Sequence, residues 1–250
     1  IISKLFLLAL CDVMFYLGIT GMINDGVHWG LYSALYILIA LVLVMLRRVM
    51  PMFIKNGIDG DIELKNRAWL DNASLVLLIV LWISDVFTSY DQLTAATAML
   101  LALLHMIRLA GWYTHRIWRK PLVWVLVAAY GFIILGFILK ALAVYLNAAP
   151  SLSLHAFTVG GIGLVTIGMM SRVSLGHTGR NVFQPPAILF WIFATLLLSA
   201  VVRVLLPLID MEFYIYWIGL SQLLWMVAFT LFVVVYAPML LNARVDGRDG

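Results

Sequence analysis

Two histidines lie within long apolar stretches, where an imidazole is a candidate metal ligand. His105 shares one helical stripe with Ala98, Ala102, Arg108 and Trp112. The small residues leave a flat space beside His105 that a macrocycle can occupy, and Arg108, one turn away, can pair with a propionate. The same alanines also suit close helix packing, with His105 forming only a hydrogen bond across the contact. The residues alone leave both interpretations open.

His155 begins a second stripe, which continues through Thr158, Ile162, Thr166 and Met169. The glycines that flank this stripe are Gly160, Gly161, Gly163 and Gly168. They allow either a second backbone or a planar ligand to approach closely. Counting residues along the helices places His155 within about one turn of the outer boundary and His105 roughly 18 Å below it. We therefore predict that the two histidines do not bind the same iron.

Ionisable side chains inside predicted spans are costly, and Asp12, Asp85, Lys140 and Arg203 are among them. Asp85, Lys140 and Arg203 lie at matching depths, about 7 to 11 Å inside the outer boundary. We expect them to form one neutralised cluster that fixes helix packing, although a substrate or proton pathway suits the same residues. Asp12, near the middle of the first span, has no cation at its depth.

The elements that position these residues must be transmembrane helices. Of the 250 residues, 64% are hydrophobic and 11% are charged. Soluble domains are about half apolar and about a quarter charged, so a soluble protein is excluded. Long apolar stretches without the alternation of barrel strands predict a single all-α integral membrane domain, a bundle of about eight transmembrane helices. The stretches cover residues 3–23, 29–46, 73–90, 93–112, 121–147, 152–171, 186–208 and 213–241.

The charges of the connecting segments orient this bundle. Basic residues follow the even-numbered spans, at Arg47, Arg48, Lys55, Lys65, Arg67, Arg116, Arg119, Lys120, Arg172, Arg180, Arg244 and Arg248. The opposite connections carry Asp25, Asp91, Asp210 and Glu212, with no lysine or arginine. By the positive-inside rule, the basic face and both termini are predicted to be cytoplasmic. The longest connection, residues 47–72, is predicted to be a cytoplasmic connector.

The use of cysteine and methionine limits the metal chemistry. Cys11 is the single cysteine, which excludes an intrachain disulfide and a thiolate cluster for iron–sulfur or structural zinc. The sequence has no Cys-x-x-Cys-His motif, so a haem would be held noncovalently, as b-type haem. Methionines at the cytoplasmic ends of spans 2 and 6 suit Cu(I) but are also ordinary membrane residues. They are Met45, Met50, Met52, Met169 and Met170.

Residues 170–180 read Met-Ser-Arg-Val-Ser-Leu-Gly-His-Thr-Gly-Arg, which is unusually polar and glycine-rich for a connection. Three other strings are residues 47–53, Arg-Arg-Val-Met-Pro-Met-Phe, residues 104–112, Leu-His-Met-Ile-Arg-Leu-Ala-Gly-Trp, and residues 155–163, His-Ala-Phe-Thr-Val-Gly-Gly-Ile-Gly. In order and spacing, all four resemble the NnrS family of bacterial haem- and copper-containing membrane proteins linked to the nitric oxide response. The resemblance covers spans 2 to 6 by motif and the remainder by hydropathy.

The resemblance implies bound haem, with copper as a second candidate metal. It singles out His105, His155 and His177 as ligands. Family members have roughly twelve spans, so this chain resembles the carboxy-terminal two-thirds of one and is expected to be a fragment. Val127 stands where many members have a histidine.

His177 is predicted to lie in the cytoplasmic loop after span 6, beside Arg172 and Arg180. These three groups suit an anion or a haem propionate just below the membrane. They equally suit anionic lipid head groups at the cytoplasmic face.

The favoured function is that of a multi-pass haem protein of the bacterial inner membrane that handles nitric oxide or the damage it causes. Whether it turns nitric oxide over as an enzyme or only binds it stays open. One alternative is an ion-coupled transporter of a small solute along Asp12, Asp85, Lys140 and Arg203, although the halves show no inverted repeat. Another is a membrane subunit that assembles metal enzymes. An oligomer is compatible with each function, and no nucleic-acid partner is expected.

Reporter tags after Gly250 and near Asn56 should both report from the cytoplasm, because the basic segments stay on that side. Paired fusions to a cytoplasmic and a periplasmic reporter measure this. A periplasmic signal at either position would overturn the charge argument.

Overall fold

The computed structural model describes residues 2–58, 62–146 and 149–247, which contain helices and connecting turns but no strand. Eight helices follow one another: α1 (Ile2–Ile19), α2 (Gly26–Gly57), α3 (Ala68–Phe87), α4 (Asp91–Trp112), α5 (Pro121–Leu146), α6 (Pro150–His177), α7 (Ile188–Ile209) and α8 (Tyr214–Leu241). A 3-10 helix, His115–Arg119, joins α4 to α5. The predicted all-α class is confirmed for these residues, and Arg248 lies outside them.

Seven helices in the described ranges, α2 to α8, are long and apolar enough to cross a membrane. The apolar part of α1, Leu5–Ile19, is shorter than a full span. The prediction of eight spans is therefore confirmed for seven of them.

Two helices extend beyond their predicted ends. The second continues to Gly57 rather than to residue 46, and the sixth continues to His177 rather than to residue 171. Hydropathy marks only the apolar part of a helix, whereas the backbone stays helical into the head-group region, where long basic side chains reach polar surroundings. The predicted connector 47–72 is therefore much shorter than expected, and His177 ends a helix instead of lying in a loop.

The fifth helix lies at the centre of the bundle. It contacts α2, α4, α6 and α7, and most of its apolar stretch is buried, whereas α8 is largely exposed. A helix surrounded by others is apolar on all sides, as α5 is.

Glycines and aromatic rings interlock between α5 and α6. A Cβ added at Gly160 would overlap the Phe132 ring, and one at Gly136 would lie 2.6 Å from the Phe157 ring. Gly160 belongs to a π-helical stretch of α6, Ala156–Gly163. The glycines beside His155 therefore allow close helix packing, which is one of the two interpretations that the sequence left open.

The first two helices approach backbone to backbone. A Cβ at Gly30 would lie 2.5 Å from the Cys11 carbonyl oxygen, and one at Gly26 would lie 2.6 Å from the Met14 carbonyl oxygen. Glycine at both positions is what lets α1 pack against α2.

The basic connections meet on one face. The Lys65 amide donates to the Gly111 carbonyl at 3.0 Å, which joins the α2–α3 connection to the end of α4. The Val245 amide donates to the Thr178 carbonyl at 3.3 Å, which joins the segment after α8 to the end of α6. The shared face agrees with the charge pattern, and its cytoplasmic orientation stays a prediction.

An ion pair inside the bundle joins α3 to α5. Lys140 Nζ lies 2.5 Å from Asp85 Oδ1, and the Tyr36 hydroxyl donates to Asp85 Oδ2 at 2.8 Å. The predicted pairing of Asp85 with Lys140 is confirmed. Arg203, the expected third member, instead contacts His155, so that part of the prediction is wrong. Equal depth does not fix the direction in which a side chain leaves its helix.

Replacing Lys140 by Leu should lower the free energy of unfolding by about 3 kcal/mol, because it leaves the Asp85 carboxylate without its cation. Adding Asp85→Asn should recover much of this loss, since an amide carries no charge and still accepts from Tyr36. Denaturation in detergent micelles measures both variants. A double variant as unstable as Lys140→Leu would contradict the packing role.

Gly30→Val should destabilise the protein by about 1 to 3 kcal/mol, because its side chain would collide with the α1 backbone. The matched control is Gly219→Val, since a Cβ at Gly219 meets no described atom outside its own helix backbone within 4 Å. Thermal unfolding compares the two, and equal melting temperatures would show that the approach of α1 to α2 is not tight.

Candidate haem and metal site

His105 is held in a fixed orientation between α4 and α5. It is completely buried, and its Nδ1 lies 2.6 Å from the Tyr130 hydroxyl oxygen. The Phe137 ring lies nearly parallel to the imidazole, with an angle of 7° between the ring planes and 5.7 Å between the ring centres. The hydrogen bond and the two aromatic rings together fix the rotation of the imidazole.

The other nitrogen of His105, Nε2, is buried and has no hydrogen-bond partner among the described residues. A buried polar atom without a partner is rare, since its desolvation is not compensated. When Nδ1 carries the proton and donates it to Tyr130, the lone pair of Nε2 is free. A histidine that binds metal through one nitrogen commonly donates a hydrogen bond from the other, so this arrangement fits a ligand.

His105 forms part of the wall of a cavity of about 120 Å³ between α2, α3 and α4. A second, more apolar cavity of about 390 Å³ lies between α1, α2 and α3. Ala40, Leu75 and Leu78 border both, so the two cavities adjoin. Together they give His105 an apolar neighbourhood of the kind that small-molecule and cofactor sites provide.

A charged group borders the same small cavity. Arg108 Nη2 lies 2.9 Å from Asp71 Oδ1 and 3.4 Å from Ser74 Oγ, and Arg47 Nη1 lies 3.1 Å from Asp71 Oδ2. Two guanidinium groups share one carboxylate, so this end of the cavity keeps a net positive charge. The sequence predicted that Arg108 could pair with a propionate, and the structure gives it the protein carboxylate Asp71.

The alanine stripe of α4 serves helix packing. Ala98 and Ala102 are completely buried and form no part of the cavity wall at His105. The flat space expected beside His105 is therefore filled by protein, and the cavity lies toward α2 and α3. The structure thus favours close packing as the role of these small residues.

Asp71, Ser74, Tyr130 and Phe137 belong to this site but were not identified from the sequence as site residues. Asp71 and Ser74 occupy one face of α3 at a spacing of three residues, which is a signal that pattern analysis can detect. Tyr130 offers no such signal, because its contact with His105 depends on how α5 is rotated against α4.

His155 belongs to a different cavity. Its Nε2 lies 3.1 Å from Arg203 Nη2, and both side chains line a groove of about 380 Å³ between α6, α7 and α8. This groove and the cavity at His105 share no lining residue, as expected from the different depths of the two histidines. Ligation of a metal by His155 stays a prediction.

His177, Arg172 and Arg180 were predicted to form one anion site. Among the described residues, no contact joins these three side chains. His177 is exposed, whereas the Arg172 guanidinium lies 3.7 Å from the centre of the Phe53 ring. Arg180 Nη1 is buried, and no described residue forms a hydrogen bond with it. A Cβ at Gly179 would lie 2.8 Å from Asp246 Oδ1, so a carboxylate that is paired with Arg244 at 2.7 Å approaches this segment.

The methionines proposed for Cu(I) have different surroundings. Met50 is completely buried, whereas Met52 and Met170 are about half exposed. No group of three or more His, Cys, Asp or Glu side chains placed for metal binding occurs within the described ranges. Copper binding stays a prediction.

Comparison with curated proteins and with solved structures gives no match. The family model described as NnrS protein matches residues 1–244, which is nearly the whole chain. The motifs had placed the resemblance in helices 2 to 6 and suggested the carboxy-terminal two-thirds of a family member. The match instead extends over α1, α7 and α8 as well. The chain therefore belongs to the NnrS family.

Proposed function

We propose that this protein binds b-type haem in the membrane, with His105 as an axial ligand, and that it acts in the response to nitric oxide. The observation that carries this proposal is the unpartnered Nε2 of a buried histidine whose Nδ1 is held by Tyr130. Membership of the NnrS family supports it, because the resemblance implies haem.

The residues around His105 suit the parts of a haem. The imidazole offers a nitrogen ligand, and the adjoining cavity between α1, α2 and α3 offers apolar walls for a macrocycle. Arg47 and Arg108 share the carboxylate of Asp71 and so keep a net positive charge, which suits the propionate groups of a haem. Bound haem with one histidine ligand would supply an iron with an open position for a diatomic ligand.

The protein's own contribution is to orient His105 and to exclude water from the site. Tyr130 holds His105 Nδ1 in a hydrogen bond, and Phe137 prevents rotation of the ring. His105 lies within the candidate span α4, whereas Arg47 and Asp71 lie nearer the ends of their helices. Nitric oxide is apolar and concentrates in lipid, so a site in the bilayer meets it where it dissolves. We place this site in the bacterial inner membrane.

A transport pathway has less support. Asp85 and Lys140 bind each other, and Tyr36 satisfies the second carboxylate oxygen. A pathway needs groups that can exchange partners with a solute, whereas these groups form a closed contact.

His105→Ala should abolish the Soret band of the detergent-purified protein while the protein still inserts, because one polar deletion does not prevent helix insertion. The control is His115→Ala, since His115 is exposed in the 3-10 helix. An unchanged haem content and spectrum in His105→Ala would remove His105 from the proposal.

Tyr130→Phe should keep the haem but weaken its binding by roughly 10- to 100-fold and shift the Soret band, because the hydrogen bond to His105 Nδ1 is lost. Haem transfer to an apo-globin measures the affinity. An identical spectrum and affinity would show that Tyr130 does not orient the ligand.

A further inference from the structure

Arg203 carries a charge inside the membrane that no described carboxylate neutralises. It lies six residues before the end of α7, about 9 Å from that end. Its Nη2 contacts His155 Nε2 at 3.1 Å, and its Nη1 is buried with no hydrogen-bond partner among the described residues. A neutral imidazole accepts a hydrogen bond but supplies no negative charge. An isolated guanidinium at this depth is costly, and an anion beside it would offset that cost.

The groove beside Arg203 changes from polar to apolar along its length. Arg203 and His155 lie nearest the face of the α5–α6 and α7–α8 connections, with Ser221 and Gln222 next to them. Val159, Trp225 and Met226 lie deeper, about 14 to 18 Å from the ends of their helices. The Trp225 ring stacks on the Phe229 ring, with 4.2 Å between the ring centres. This contact makes the deeper wall flat and apolar.

The groove opens on the outside of the bundle. Trp225 is 43% exposed and Met226 is 54% exposed, so both face the surroundings of the protein. In a membrane those surroundings are lipid. A molecule in the groove therefore meets a positive charge at one end and an apolar channel open to acyl chains at the other.

We infer that this groove binds an anionic phospholipid, with the phosphate on Arg203 and an acyl chain along Val159, Trp225 and Met226. An arginine fork matches the oxygens of a phosphate, and the Arg203 side chain lines the groove. A free oxyanion would fill only the polar end and leave the apolar length of the groove unused. A zwitterionic lipid would bring a second cation close to Arg203. His155 is a positioning residue in this site, because it holds the guanidinium through Nη2.

The inference does not depend on haem at His105, because the two sites share no lining residue. If binding at one of the two sites fails, binding at the other can still be tested.

The test uses the purified full chain in nanodiscs of phosphatidylcholine alone or mixed with phosphatidylglycerol. Phosphatidylglycerol retained after mild delipidation is counted by native mass spectrometry, and thermal unfolding is followed in parallel. We expect preferential retention of phosphatidylglycerol and a higher melting temperature in its presence. Arg203→Gln should reduce retention on the order of tenfold, as expected for loss of a charged hydrogen-bond donor. Arg119→Gln, an exposed arginine on the opposite face, serves as the matched control for general attraction to anionic lipid and should change it little.

Three further variants separate the parts of the site. Val159→Phe fills the apolar channel without touching a charge and should reduce retention. His155→Phe should also reduce it, whereas His155→Gln should restore most of it, because the amide oxygen can again accept from Arg203.

Three outcomes would overturn the inference. Equal retention of phosphatidylglycerol by the original chain and by Arg203→Gln would show that the arginine binds no lipid. If millimolar inorganic phosphate raises the melting temperature in phosphatidylcholine nanodiscs as much as phosphatidylglycerol does, that result would assign the site to a free oxyanion. Arg203→Gln that lowers the melting temperature equally in both lipids would indicate a purely structural role.

Discussion

Hydrocarbon offers no water to a buried polar group, so each such group in a span must find its partner inside the protein. This constraint explains the long-range side-chain contacts of the bundle. Asp85 binds Lys140 and Tyr36, Arg108 binds Asp71, and His105 Nδ1 binds Tyr130. Each contact joins two helices and so fixes their relative rotation. Within the described residues, a few buried polar atoms lack a partner, and two of them, His105 Nε2 and Arg203 Nη1, belong to side chains that border cavities. The proposed haem lies beside the first of these two side chains, and the proposed lipid lies beside the second.

The central helix keeps these two places apart. Phe137 of α5 stacks against His105 on one side and contacts the Phe157 ring of α6 on another, with 5.0 Å between the ring centres. The groove at His155 and the cavity at His105 are therefore separated by packed aromatic side chains. A metal at one of them would have its own environment, and a change at one need not alter the other.

Much of this architecture could be predicted from the sequence, because span length and hydropathy follow from the bilayer itself. Depth along each span is also readable, and it correctly paired Asp85 with Lys140. The direction around the helix axis is not readable in the same way. Arg203 has a matching depth but turns toward His155, and Tyr130 reaches His105 only because α5 is rotated suitably. Polar helix ends were missed for a different reason: α2 remains helical for eleven residues beyond its apolar stretch, which ends at residue 46.

The contact between α5 and α6 is reciprocal, since each helix places a glycine under an aromatic ring of the other, Gly160 under Phe132 and Gly136 under Phe157. A larger residue at either glycine fits only if the facing ring becomes smaller. During evolution these positions must therefore change in pairs, and a relative with alanine at the position of Gly160 should carry a smaller side chain at the position of Phe132. Aligned relatives would carry this signature as correlated variation between two helices that adjoin in sequence.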